Sequence, residues 1–256
     1  MKRRTLIEGM AAATLSGIAR PAGAVETESV RSPDEVAWVR YAAKRTGPRP
    51  SVLVLHGSRG FELKLPAYER YANALTNEGI DAYLVTYYAA HDSAALRAMG
   101  TSREREAYET QRYDAWVERV SSVVTTILKS QGESKDGSSR IGLLGFSLGG
   151  FVAAATAARD ARVSALAVLY GGMPEKFARQ VKRMPPVIEL HGDSDRNVPP
   201  ADGAALVALA KSVGASAEHV TFPGKAHGFD FAEGDPAARD ALERVIRFFR
   251  AQLGAA

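Results

Sequence analysis

The ten residues Ile141-Gly142-Leu143-Leu144-Gly145-Phe146-Ser147-Leu148-Gly149-Gly150 constrain this chain more than any others. A short apolar run enters Gly145-x-Ser147-x-Gly149 and an alanine-rich segment leaves it, a pattern that predicts a strand, a tight turn and a helix with a serine on the turn. Without β-carbons, the flanking glycines let strand and helix backbones approach closely, and the helix start offers free N–H groups to a developing oxyanion. A serine hydroxyl is a poor nucleophile near neutral pH, so the motif carries chemistry only where a base and an acid converge on it.

The rest of the chain supplies a matching frame. Ser51 to Leu55, Ile80 to Val85, Arg140 to Leu144, Val163 to Leu169, Val187 to Leu190 and Ala217 to Phe222 read as strands, preceded by a strand or hairpin arm within Glu35 to Ala43. Helical spacing runs through Pro66 to Glu78, Trp116 to Ile127, Leu148 to Arg159, Ala201 to Val213 and Pro236 to Leu253. Strands alternating with helices predict an α/β fold, a mostly parallel sheet with helices on both faces, and 256 residues fit one such domain, spanning residues 25–256. Val25 to Pro33 reads as a polar linker, and Ala89 to Tyr113, with Arg103-Glu104-Arg105-Glu106, as a solvated excursion over the sheet's carboxyl edge.

Net charge is +4, but four of the 33 Lys and Arg and one of the 29 acids fall in residues 1–24, so the remainder carries 29 basic against 28 acidic groups. The basicity therefore marks a leader rather than a nucleic-acid face. Lys2-Arg3-Arg4 precedes a weakly apolar stretch and Arg20-Pro21-Ala22-Gly23-Ala24, which resembles a twin-arginine export signal cleaved after Ala24 and implies a periplasmic or secreted protein. Glu8 and Gly9 interrupt a stretch already too short to span a bilayer, so no membrane anchor is expected. The absence of cysteine rules out disulfides and a thiol nucleophile.

Two later segments complete a catalytic set. His191-Gly192-Asp193-Ser194-Asp195-Arg196-Asn197-Val198-Pro199 places an acid after a late strand, and Phe222-Pro223-Gly224-Lys225-Ala226-His227-Gly228-Phe229 places a histidine after the last. Asp193 competes with Asp195 as the acid; the spacing to Val198-Pro199 favours Asp195. The order Ser147, Asp195, His227 is that of α/β-hydrolases. With His56-Gly57-Ser58-Arg59-Gly60, these motifs resemble the dienelactone hydrolase family of the α/β-hydrolase superfamily from about Ser51 to the C-terminus. Dienelactone hydrolases proper use a cysteine nucleophile and a glutamate after the first core strand, where this chain has Ser147 and Gly57, and their carboxylate-gripping arginine meets Asp230-Phe231 here. The resemblance thus implies the fold and the triad rather than a dienelactone substrate.

On this reading Ser147 attacks an ester or lactone carbonyl, His227 moves the proton, Asp195 orients His227, and the backbone N–H groups of Ser58 and Leu148 hold the oxyanion. Arg59, Tyr87, Tyr88, Phe146 and Phe229 are candidate pocket residues, the aromatic ones equally well explained by core packing. His56 and His191 read as backbone-bonding loop histidines, and His91 and His219 as surface residues. No histidine pair has metal-ligand spacing and no phosphate-binding glycine motif is present, so neither metal nor nucleotide cofactor is implied; the expected partner is a small-molecule ester or lactone. A silent binding module, and an acyltransferase or thioesterase using the same triad, are the competing readings.

Overall fold

The computed structural model describes residues 27–31, 36–44, 49–131 and 139–254. Among these, eight strands form one sheet: β1 (Thr27–Arg31), β2 (Ala37–Tyr41), β3 (Ser51–Leu55), β4 (Asp81–Thr86), β5 (Ile141–Phe146), β6 (Val163–Leu169), β7 (Val187–Gly192) and β8 (Ala217–Phe222). Their spatial order is β1-β2-β4-β3-β5-β6-β7-β8, with β1 and β2 antiparallel to their neighbours and all pairs from β4 through β8 parallel. β3 and β5 lie in the middle and every residue of each is buried, as continuous apolar runs covered on both faces require. The helices α1 (Leu65–Asn77), α2 (Ala90–Ala98), α3 (Ser102–Gln131), α4 (Leu148–Arg159), the short α5 (Glu175–Ala178), α6 (Pro200–Ser212) and α7 (Pro236–Leu253) complete the layers.

Alternation along the strands divides the core between the two faces. On one, Leu53, Leu143 and Val168 pack with Trp116, Val120 and Val124 of α3, Val152 of α4 and Leu206 of α6. On the other, Val54, Leu144 and Leu190 meet Tyr71 and Leu75 of α1 and Val245 and Phe249 of α7. The buried stripe Ala238, Ala241, Val245, Phe249 and Leu253 seats α7, which Asp235 starts by accepting from the Ala237 N–H at 2.9 Å and Gly254 ends in a left-handed conformation.

Two expectations are corrected. The polar stretch read as a linker contains β1, whose register pairs Thr27 with Tyr41 and Arg31 with Ala37; an edge strand needs backbone pairing rather than an apolar run. Ala89 to Tyr113, where no helix was expected before Trp116, is α2 and the opening turns of α3. Thr101-Ser102-Arg103-Glu104 is a capping box: the Glu104 N–H donates to Thr101 Oγ1 at 3.2 Å and the Thr101 N–H to Glu104 Oε2 at 3.0 Å. The charged run is the exposed side of that start, and the helix turns Tyr113 and Trp116 into the core. No helix among the described residues is long and apolar enough to cross a membrane.

Candidate active site

Ser147 joins β5 to α4 at φ 53° and ψ −123°, a conformation that costs a non-glycine residue roughly 1–3 kcal/mol and survives only where its surroundings impose it. Those surroundings are tight. A β-carbon on Gly145 would lie 2.3 Å from the Gly149 carbonyl oxygen, and one on Gly149 would lie 2.4 Å from the Leu55 carbonyl oxygen, so neither position admits a side chain. The Ser147 N–H donates to the Leu169 carbonyl at 3.0 Å, and its own carbonyl accepts from Gly150 at 2.8 Å. Its hydroxyl makes no capping bond to α4 and is free for other work.

That hydroxyl lies 2.9 Å from Nε2 of His227, whose Nδ1 lies 2.7 Å from Oδ2 of Asp195. The other Asp195 oxygen accepts from the N–H groups of Asn197 at 2.8 Å and Val198 at 3.0 Å. With Nδ1–H donating to the carboxylate, Nε2 presents its lone pair to the serine hydroxyl, the tautomer a general base needs. Asp193 instead ties its own loop, accepting from the Gly224 N–H at 2.7 Å and the Ser194 hydroxyl at 3.1 Å.

The loop after β3 forms the opposite flank of Ser147. Gly57 passes so close that a β-carbon there would touch the Ser147 β-carbon at 3.5 Å. Three tyrosines hold this loop: Tyr87 donates to the His56 carbonyl at 2.9 Å, Tyr88 donates to the Ser58 carbonyl at 3.2 Å, and the Gly57 N–H donates to the Tyr68 hydroxyl at 3.1 Å. Leu148 is the first residue of α4, so its N–H has no acceptor within the helix. His56 stacks on Tyr87 with centroids 4.4 Å apart and bonds the Gly57 carbonyl at 2.7 Å; burial lowers its pKa to about 4, so it is neutral at neutral pH.

The candidate pocket residues fall into separate environments. Arg59 is exposed. Tyr87 and Phe146 have no exposed surface and back the site from the core, which leaves no surface for a substrate to touch in this conformation; Tyr88 and Phe229 are nearly as buried. Phe229 packs on Phe222 and Tyr170, and Tyr170, whose φ is 41°, sets its ring 4.6 Å from that of His227.

Sequence reading missed two groups behind these residues. Tyr170 donates to Oδ1 of the fully buried Asp230 at 2.7 Å, and the buried Tyr71 hydroxyl lies beside the same carboxyl. Burial pushes the Asp230 carboxyl up to about 6 against the lowering influence of Tyr170, Tyr71 and Arg70. The other group lies along β7 and β8: Glu189 reaches His191 Nδ1 at 2.8 Å and His219 Nδ1 at 2.6 Å. His219 is therefore half-buried and hydrogen-bonded to a carboxylate rather than a free surface residue, and His191 bonds a carboxylate as well as the expected loop carbonyl, that of Val198 at 3.1 Å. The signal was available: Glu189 is the one acidic residue in Val187-Ile188-Glu189-Leu190-His191, a run destined for a covered parallel strand.

A parallel sheet with helices on both faces, a strained serine between a central strand and its helix, and a histidine and acid on the loops after the last two strands define an α/β-hydrolase-fold protein. The profile of the dienelactone hydrolase family matches residues 39–253, and the chain belongs to that family. Similar solved structures include a putative dienelactone hydrolase from Klebsiella pneumoniae, with 18% identity, a TM-score of 0.69, and coverage of 88% of this chain and 97% of that one. A dienelactone hydrolase from Anabaena variabilis gives 18% identity and 0.65 over 89% and 98% of the two chains, and the thermostable carboxylesterase EstE1 from a metagenomic library gives 19% and 0.68 over 92% and 91%. No curated protein matches the chain significantly.

Proposed function

We propose that this protein is a serine hydrolase that cleaves carboxylic esters or lactones through an acyl-enzyme. The observation that carries the reading is the continuous path from Ser147 Oγ to His227 Nε2 at 2.9 Å and from His227 Nδ1 to Asp195 at 2.7 Å. Ser147 attacks the carbonyl carbon as His227 takes its proton; the tetrahedral oxyanion is held by the N–H groups of Leu148 and Ser58; His227 then protonates the leaving alcohol and activates the water that releases the acid. Asp195 holds the imidazole tautomer and stabilises its cation. A serine in an imposed left-handed conformation, with its hydroxyl spared from helix capping, supports chemistry over a silent binding role. Thioester cleavage and acyl transfer to an alcohol proceed through the same acyl-enzyme and differ in leaving group or acceptor.

The test is fluorophosphonate labelling with mapping of the modified residue, alongside turnover of short- and long-chain p-nitrophenyl esters, thioesters and lactones. Labelling confined to Ser147 with ester turnover is expected; an unlabelled, inactive protein returns the chain to the binding-module reading. Residues 1–24 lie outside the described residues, and the export reading of that leader is part of the proposal. N-terminal sequencing of the protein from a periplasmic fraction is expected to begin at Val25.

A further inference from the structure

His191 sits at the centre of an arrangement that the triad alone does not need. It is fully buried, and each ring nitrogen faces only acceptors: Nδ1 meets Glu189 Oε1 at 2.8 Å, while Nε2 meets the Val198 carbonyl at 3.1 Å and Asp195 Oδ2 at 3.3 Å. A neutral imidazole would turn a lone pair toward one of these oxygens, whereas an imidazolium satisfies all of them. Glu189 is itself fully buried, and its second oxygen meets His219 Nδ1 at 2.6 Å. Room for this carboxylate is made by Gly203 of α6, where a β-carbon would fall 2.4 Å from Glu189 Cδ and 2.5 Å from both its oxygens.

Asp195 Oδ2 is thereby shared between two imidazoles, those of His191 and His227. We infer that His191, kept as an imidazolium by Glu189, is a positioning residue that sets the basicity of His227 through Asp195. The inference rests on the reading of Ser147, His227 and Asp195 as the triad. A fixed positive charge on the far side of the shared oxygen disperses the carboxylate's charge and opposes a second positive charge on His227. The arrangement thereby favours the neutral His227 ring that accepts the serine proton over a second imidazolium on the same carboxylate.

The charged and titratable groups around the pair are few. His191 faces Glu189 on its own strand, His219 on β8, Asp195 on the following loop and, at longer range, Asp202 of α6. His227 faces Asp195, Ser147 and the ring of Tyr170, whose hydroxyl is held by Asp230. Burial opposes a charge on His191, but Glu189, the Val198 carbonyl and Asp195 outweigh it and hold its pKa above the usual histidine value.

The experiment combines ring-nitrogen NMR of histidine-labelled full-length protein with pH profiles of kcat/KM on a p-nitrophenyl ester for the wild type, Glu189→Gln and His191→Gln. Expected are two ring protons on His191 at pH 7 in the wild type, and an upward shift of about half a pH unit or more in the His227 titration of each variant, larger for His191→Gln because Glu189 then stays charged. The rising limb of the rate profile should move with it, so the rate at pH 6 falls more than the rate at pH 8. A purely structural role would lower both rates together. One ring proton on His191 in the wild type, or an unshifted His227 titration in the folded variants, overturns the inference; if neither variant folds, the wild-type proton count decides it. The NMR titrations need no turnover, so a wild type inactive on every ester but with the expected titrations counts against the hydrolase reading and supports the role of His191.

Discussion

The two flanks of Ser147 each bury an aspartate completely and treat it in opposite ways. Behind the aromatic flank, Asp92 accepts from Tyr108 and Arg112 Nε at 2.7 Å each, from the Ala89 N–H at 2.7 Å and from Trp116 Nε1 at 3.0 Å. Burial would raise its pKa, but the bonds from Arg112, Trp116, Tyr108 and Ala89 together bring it down to about 2. Behind the imidazole flank, Asp230 accepts from the Tyr170 hydroxyl at 2.7 Å, and burial pushes its carboxyl up to about 6. Two aspartates without exposed surface thus shift in opposite directions: Asp92 has four donors, the Arg112 guanidinium among them, whereas Asp230 lies deeper and its carboxylate bonds no cation.

That contrast predicts effects on rate where the flanks meet and effects on stability or pH dependence behind them. The largest belongs to Ser147→Ala, expected to lower kcat/KM on a p-nitrophenyl ester at least about 10⁴-fold while leaving the melting temperature nearly unchanged. A comparable loss of stability would make the elbow structural and erase the distinction. Next comes Asp92→Asn, which strands the donors of Arg112 and should cost about 3 kcal/mol in urea unfolding with little change in rate. The ionised carboxylate's contribution is present above the unfolded-state value near 4 and is lost as pH falls through about 2, amounting to about 2 kcal/mol.

Asp230→Asn should act in the opposite direction. A carboxyl whose folded pKa is raised contributes stability below pH 4 that disappears as pH climbs through about 6, so the amide is expected to be more stable than the wild type by about 1–2 kcal/mol at pH 8 and no better at pH 4. Parallel wild-type and variant stability curves across that interval would show that Asp230 stays charged and would abolish the contrast with Asp92. Smaller still is Tyr88→Phe, which frees the Ser58 carbonyl and should reduce kcat about three- to tenfold with KM nearly constant. Leu148→Ala should keep most activity, because the proposed oxyanion donor at that position is main-chain; a variant as inactive as Ser147→Ala would remove Leu148 from that role.

Legibility in the sequence followed the range of the interactions. β6, β8, α4 and α7 carry their residue limits in local periodicity and caps, and the order of Ser147, Asp195 and His227 identifies loops at one edge of a parallel sheet. The start of α3 was hidden because exposed charges dominate its composition, although Thr101 and Glu104 spell the cap and Trp116 the buried side, and α2 was hidden because it is short and buries only Asp92 and Leu96. Tyr108 as a partner of Asp92, His219 of Glu189 and Tyr170 of Asp230 could not be read, because they come from 16 to 60 residues away and are chosen by packing rather than spacing. Tyr87 and Phe146 adjoin residues of the site in sequence yet face the core, since alternation along their segments gives them to the layers behind it.

Ser147 and His227 are separated by 80 positions, with β6, β7 and β8 completed between them. Closing a loop of that length is entropically costly and follows the local helices in time, so the site is assembled only when the last parallel strands have docked. During refolding from denaturant, regain of turnover must therefore lag behind regain of helical signal, and the enzyme's own activity becomes a clock for the final stage of sheet assembly.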